Sequence, residues 1–341
     1  MSSLSRFFAA QDMTEGTPWK KIVSFAIPLL IGNIAQQLYN TADSVIVGKY
    51  VGDLALAAVG GCGPTLNLLI VLFVGIATGA GIMVAQYFGA KQKEELSYSV
   101  GTCLTLTGIA SLIMMVLGTL AAPPLLRLLD TPVETYDMCV AYMRIYFLGI
   151  AGMGFYNIPS GILRGLGDSL SALKYLIVAA GLNIALDLLF VAKFGMGVPG
   201  VAIATIIAQF ISASLCLRKL FAMRDVMHQR KEHFGLNKRY AKQLVKLGLP
   251  SGLSQAVMSC SGLVVQSLTN SFGAAFVACN TIVMRIDGFV MMPNFSFGNA
   301  MTTFTGQNVG AGDIDRVRKG AKSGTALAVG TSAVLVACII F

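Results

Sequence analysis

Residues 171–220 read SALKYLIVAAGLNIALDLLFVAKFGMGVPGVAIATIIAQFISASLCLRKL. Two apolar runs of about 20 residues are separated by a short turn rich in Gly and Pro, and each run is long enough to cross about 30 Å of hydrocarbon as a helix. Period-two alternation is absent, which argues against a barrel strand. A helix is then the remaining spanning structure that satisfies its own backbone. The pattern recurs near 22–47, 56–87, 97–121, 136–160, 171–192, 197–220, 243–268, 278–305 and 318–341. With 55% hydrophobic residues, 12% charged and a mean hydropathy of +0.72, the composition is that of an all-α polytopic membrane protein rather than a soluble domain. The first run starts after residue 20 and is full-length, so no cleavable leader is expected.

The net charge of +9 follows topology. Arg6, Lys20, Lys21, Lys91, Lys93, Arg164, Lys174, the basic residues of 218–246, Arg316, Arg318, Lys319 and Lys322 all fall on one side of the nine-span arrangement. The other side holds only Lys49, Arg127 and Lys193. The positive-inside rule places the N-terminus and the connector after the sixth span in the cytosol, and a plasma or bacterial inner membrane is expected. No nucleic-acid partner is implied. Seven scattered Cys without CxxC spacing indicate neither a disulfide framework nor a zinc site. His228 and His233 both fall in the connector, where they are expected to be solvated, and no metal site is predicted.

The chain repeats internally. KKIVSFAIPLLIGNIAQQ from residue 20 aligns with KQLVKLGLPSGLSQAVMS from residue 242, bringing Pro28 onto Pro250. AQYFGAKQKEELSYS from residue 85 aligns with GQNVGAGDIDRVRKG from residue 306, bringing Gln86, Gly89 and Ala90 onto Gln307, Gly310 and Ala311. Repeats of this kind build many transporters. The division expected is a six-helix lobe at 17–220, a basic connector at 221–242, and the first three helices of a second lobe at 243–341. A complete second lobe would have three more, twelve helices in all.

Asn183 and Asp187 are four apart in a membrane helix and so share one face. A carboxylate there costs on the order of 3 kcal/mol unless it is partnered, so it is read as functional. Depth arithmetic brings Asp43 of the first span and Thr205, about 12 Å into the sixth at 1.5 Å per residue, to the same level. These oxygen ligands suit a proton or a hard monovalent cation. Two adjacent acids cannot both ionise cheaply, and an arriving cation displaces the proton they share. That exchange is antiport. The alternative is that Asn183 and Asp187 only join helices.

FAIPLLIGNIAQQLYNTADSVIVGKYVG, QYFGAK, PSGILRGLGDS, LNIALDLLF with GVPGVAIATIIAQ, and GQNVGAG together make the chain resemble the multidrug and toxic compound extrusion (MATE) family. The resemblance implies a secondary antiporter exporting organic cations in exchange for H⁺ or Na⁺, with no cofactor and no enzymatic activity, monomeric when complete. In the DinF-like branch, residues matching Asp43, Asn183, Asp187 and Thr205 line the cation site. The NorM-like branch has a Glu where Met258 stands here, so coupling is expected in the first lobe. Candidate substrate-lining residues are Gln36, Tyr39, Asn40, Asn157, Arg285, Asp287 and Met291, with Arg285 and Asp287 as a candidate pair. Pro28, Pro250 and Pro293 are expected kinks. GCGPTLN at 61–67 lacks the Gly-Lys-Ser/Thr of a P-loop, so ATP is not the expected driver. The rival readings are a lipid-linked saccharide flippase, which would need a cationic cavity, a membrane enzyme, for which no motif is found, and an inactive fragment.

Overall fold

The computed structural model describes residues 11–129, 131–223, 226–227, 230–272 and 274–340. It is helical throughout: α1 (Pro18–Tyr50), α2 (Asp53–Gly89), α3 (Lys93–Leu128), α4 (Val133–Leu148), α5 (Ile150–Gly165), α6 (Ser169–Asp187), α7 (Gly197–Ala222), α8 (Lys238–Ser271), α9 (Ala274–Gly310) and α10 (Ile314–Ile340). A π-helical turn, Leu188–Lys193, continues α6. Among the described residues, α1, α3, α7, α10 and α6 with its π turn are long and apolar enough to cross a membrane. The chain is therefore an all-α multi-pass membrane protein, as the apolar runs predict.

The span expected at 136–160 is instead two helices, α4 and α5, bent by 52° at Gly149. The bend brings the Gly149 backbone against the Ile206 side chain of α7, leaving no room for a Cβ. Both halves are apolar, so hydropathy alone does not separate them. Pro28, Pro250 and Pro293 lie inside continuous helices, as do Pro123, Pro124 and Pro159.

One core, built from the end of α1, from α2–α5 and α7, and from the start of α8, with Val191 of the π turn and Met227 of the connector, buries Phe73, Met143, Phe147, Ile158 and Leu163. A second, smaller cluster joins Ile22 and Phe25 of α1 to Ala300 and Phe304 of α9 around Met13. Helix α2 packs most extensively on α8. Gly75 and Gly79 meet Gly252 and Gly248 there, and a Cβ on Gly79 would stand 2.6 Å from the Gly248 Cα. Close crossings of this kind are characteristic of small-residue helix pairs in membranes. Nearer the basic end, Gly89 abuts the Gln307 carbonyl and Gly310 abuts the Gln86 carbonyl. That reciprocal pair joins the positions the repeat matches at an offset of 221. Asn33 of α1 donates to Ser296 of α9 at 3.1 Å. These contacts all fall between the basic end and about mid-helix. Beyond Gly252, α8 leaves Leu253, Val257, Met258 and Leu268 exposed.

One feature of the basic end departs from expectation. His233 is not solvated: it is 1% exposed. Its Nδ1 accepts from the Arg230 backbone N–H at 3.0 Å, leaving Nε2 to donate to Glu94 of α3 at 3.3 Å. Its ring meets Tyr98 edge-on, and its carbonyl packs on Gly101. Polarity and charge run high in this connector, and nothing local marks one His as a plug. His228 lies outside the described residues. Arg239 and Tyr240 at the start of α8 both engage Glu95 of α3.

Residues 11–17 form a strap across the basic end. Gln11 N–H donates to the Gly167 carbonyl at 3.0 Å, and Met13 N–H donates to Gln307 Oε1 at 2.8 Å. Gln307 Nε2 donates in turn to the Gly165 carbonyl. Asn308 Nδ2 and Arg316 donate to the Met13 carbonyl, and Arg316 also reaches the carbonyls of Glu15 and Gly16. Charge-assisted hydrogen bonds of this type contribute about 1.5–3 kcal/mol each when well made. Arg316→Met keeps the stem and removes the fork. Its expected result is a melting temperature lower by several degrees in detergent and protease cleavage within residues 11–17 that the unaltered chain resists; unchanged cleavage would show that the strap is held otherwise.

Candidate functional site

Asp43 approaches from the last two turns of α1, Asn183 and Asp187 from one face of α6, and Thr205 from the third turn of α7. The structure brings all four together, away from the basic end. The carboxyl groups of Asp43 and Asp187 face each other as immediate neighbours. Asp187 is 0% exposed and Asn183 1%. With the Asn183 amide turned so that its nitrogen donates to Asp187 Oδ2 at 2.8 Å, its oxygen faces the Thr205 N–H at 3.1 Å and hydroxyl at 3.2 Å. That orientation satisfies both ends of the amide, which is the criterion for assigning it. The Thr205 hydroxyl also lies 3.0 Å from the Val201 carbonyl. Its single proton serves one of the two.

Asp43 Oδ1 and Asp187 Oδ1 are buried without a hydrogen-bond partner among the described residues. Buried acceptors left in this state are rare in folded proteins and call for a proton or a cation. Asp187 also marks the change from α to π geometry. The widened turn carries Phe194 N–H to the Leu189 carbonyl, a five-residue step, and such insertions in helices are frequent at functional sites.

Tyr39 shares a cavity wall with Thr205 and stands beside Asp43. Gln36 and Tyr39 line a cavity of about 20 Å³ with Asn183, Thr205, Tyr156 and Gln209, room for about one water. Asn157 of α5 instead bonds the Met153 carbonyl. Asn40 is exposed and bonds Gln36 at 3.4 Å. Asp287 and Met291 are exposed on α9, and the side chain of Arg285, the other member of the candidate pair, lies outside the described residues. Arg144 and Asp137 are both exposed and unpaired with each other. Tyr142 and Tyr146 of α4 complete the wall near Asp43 and Tyr39. Sequence reasoning missed them, although their four-residue spacing puts both on one face.

The fold and the buried acid pair describe a polytopic carrier. The MatE family model matches residues 28–189 and 250–341, and the chain belongs to this family of membrane transporters, which are not enzymes. Among its relatives is a probable multidrug resistance protein, YoeA of Bacillus subtilis. It is 32% identical over 316 residues, covering 91% of this chain and 68% of the relative. YpnP of the same organism, also named a probable multidrug resistance protein, is 31% identical over 90% of this chain and 69% of its own length. A solved outward-facing conformation of a multidrug resistance MATE transporter superposes with a TM-score of 0.89 at 30% identity, covering 96% of this chain and 73% of that one. The chain thus spans about two thirds to three quarters of the length of these relatives.

Proposed function

We propose that this chain carries the coupling site of a secondary antiporter that exports amphipathic organic cations in exchange for H⁺ or Na⁺. The observation that supports it is the contact between Asp43 and Asp187, with one oxygen of each acid left without a hydrogen-bond partner inside a helical lobe. Such a pair holds one proton in common, and a second positive charge arriving beside it lowers the cost of releasing that proton. Neutral Asn183, Thr205 and Tyr39 supply oxygen atoms without adding charge. The names of the relatives, multidrug resistance proteins, support a drug-like substrate class.

With the basic end in the cytosol, as the positive-inside rule has it, the helices meet at the cytosolic half and the acid pair faces the outer half. Residues 17–220 and 243–341 then act as two lobes that rock about the contacts of α2 with α8 and of α1 with α9. The test is ethidium export from drug-sensitive cells expressing the 341-residue chain, or that chain extended by three further helices. Export should collapse when nigericin removes the pH gradient if H⁺ is the coupling ion, and should instead require external Na⁺ if Na⁺ is. If valinomycin with K⁺ also slows export, more than one ion enters per substrate, since the potential then contributes about 2.3 kcal/mol per net charge per 100 mV. Failure of both forms to export any organic cation would overturn the reading.

A further inference from the structure

The RGLGD motif supplies a charge that the coupling site does not use. Helix α5 carries Tyr156, Ser160 and Arg164 at four-residue intervals, a polar row on one face of a helix whose other polar side chain, Asn157, turns to the Met153 carbonyl. Tyr156 lines the small cavity below the acid pair, and so does Gln209, whose Oε1 is buried without a hydrogen-bond partner among the described residues. Ser160 lies one turn beyond Tyr156 on the same face of α5. The Ser160 hydroxyl lies 3.9 Å from the Cys216 thiol of α7. A file of protonic groups therefore runs from Asn183 and Thr205 through the cavity toward the basic end, inside the first seven helices.

Arg164 closes that file. Side chains on a helix lean toward its N-terminus, and here that turns the guanidinium back into the bundle, where its charge acts on both Tyr156 and Cys216. It is only partly exposed. No carboxylate pairs with it among the described residues; the nearby acid of the same motif, Asp168, is taken by Lys219 at 3.7 Å and by Ser171. An uncompensated cation on a polar path raises the electrostatic barrier to any other cation on it, a device used in selective pores.

We propose that Arg164 is a leak barrier: its charge blocks proton passage along Tyr156, Ser160 and Cys216 between the Asp43–Asp187 pair and the basic end, so that protons cross only when the lobes move. The proposal rests on the antiport reading of the acid pair and assigns to the motif a part in keeping exchange tight.

The test needs no substrate. The 341-residue chain is reconstituted in vesicles loaded with a pH-sensitive dye, a pH step is imposed with the membrane potential clamped, and its decay is followed. Arg164→Gln should speed the decay about tenfold, the order of factor a unit charge exerts at about 10 Å in an effective dielectric of about 20. Arg164→Lys should hold the gradient as the unaltered chain does. Adding Asp187→Asn to Arg164→Gln should restore a slow decay, because the path then lacks its terminal acid. If Arg164→Gln does not survive reconstitution, Arg164→Met keeps the apolar stem and removes the same charge. A gradient held equally well by the neutral variants would overturn the proposal and leave Arg164 as a cap on the last carbonyls of α5. A leak that persists with Asp187→Asn would overturn it too, as unspecific damage. Cation export by the unaltered protein is read separately, so failure of the antiport reading is distinguishable from failure of this one.

Discussion

Asp187→Asn is expected to reduce ion-driven export to the background of empty vesicles while leaving the protein folded. Asn occupies nearly the same volume, and it can still meet Asn183 and Asp43 by hydrogen bonds. What it cannot do is release a proton. Competition between ion and substrate at one site is a coupling free energy, typically 1–3 kcal/mol, and it appears as an affinity that changes about 5- to 150-fold with the ion. In the variant that factor should fall to about one: binding of an organic cation becomes insensitive to pH, and no gradient can drive it uphill. Asp43→Asn should act the same way. Thr205→Val removes only a neutral hydroxyl, and it should cost no more than about tenfold, in line with about 1 kcal/mol for one hydrogen bond. The measurement is pH-dependent cation binding and vesicle transport on the same preparation. Full export by Asp187→Asn would remove the acid pair from the coupling mechanism, whatever its geometry.

The convergence of those four residues was readable because its logic is one-dimensional. The i, i+4 spacing of Asn183 and Asp187 and the rise per residue along α1 and α7 fix which side chains share a face and a depth, and the structure brings together the four residues so chosen. The apolar runs were equally plain. What escaped were features decided by packing between distant segments. Gly149 breaks a span without any change in hydropathy, and the need for a glycine there is visible only in its contact with Ile206 of another helix. His233 looks like a loop residue and is buried by Tyr98 and Gly101 of α3. Gln307, Asn308 and Arg316 belong to a stretch that sequence reading used for the repeat, the family resemblance and the charge count, yet they also grip residues 11–17, some 300 positions away. Tyr142 and Tyr146 gave a periodic signal, but one indistinguishable from ordinary lining of an apolar helix.

Gly79→Leu should then abolish transport without touching the acid pair. Its Cβ alone would stand 2.6 Å from both the Cα and N of Gly248 and 2.9 Å from the Leu244 carbonyl. These are backbone atoms, which cannot rotate aside, so α2 and α8 must separate by the better part of an ångström before the rest of the Leu is placed. Overpacking of this kind costs about 1–3 kcal/mol and occasionally more, which shifts the balance between closed and open basic ends by about 5- to 150-fold. Asn33 and Ser296, bonded at 3.1 Å across α1 and α9, report that closure: with Cys at both positions, oxidative cross-linking should be efficient in the unaltered background and fall sharply with Gly79→Leu. Gly61→Leu is the control, since a Cβ there meets nothing within 4 Å, and it should cross-link normally. Proton or cation binding at Asp187 should persist in both, because α6 and α7 are undisturbed. Equal cross-linking in the two variants would mean that the glycine crossing is passive packing, and the pivot for alternating access would have to be sought at the strap and the His233 plug instead.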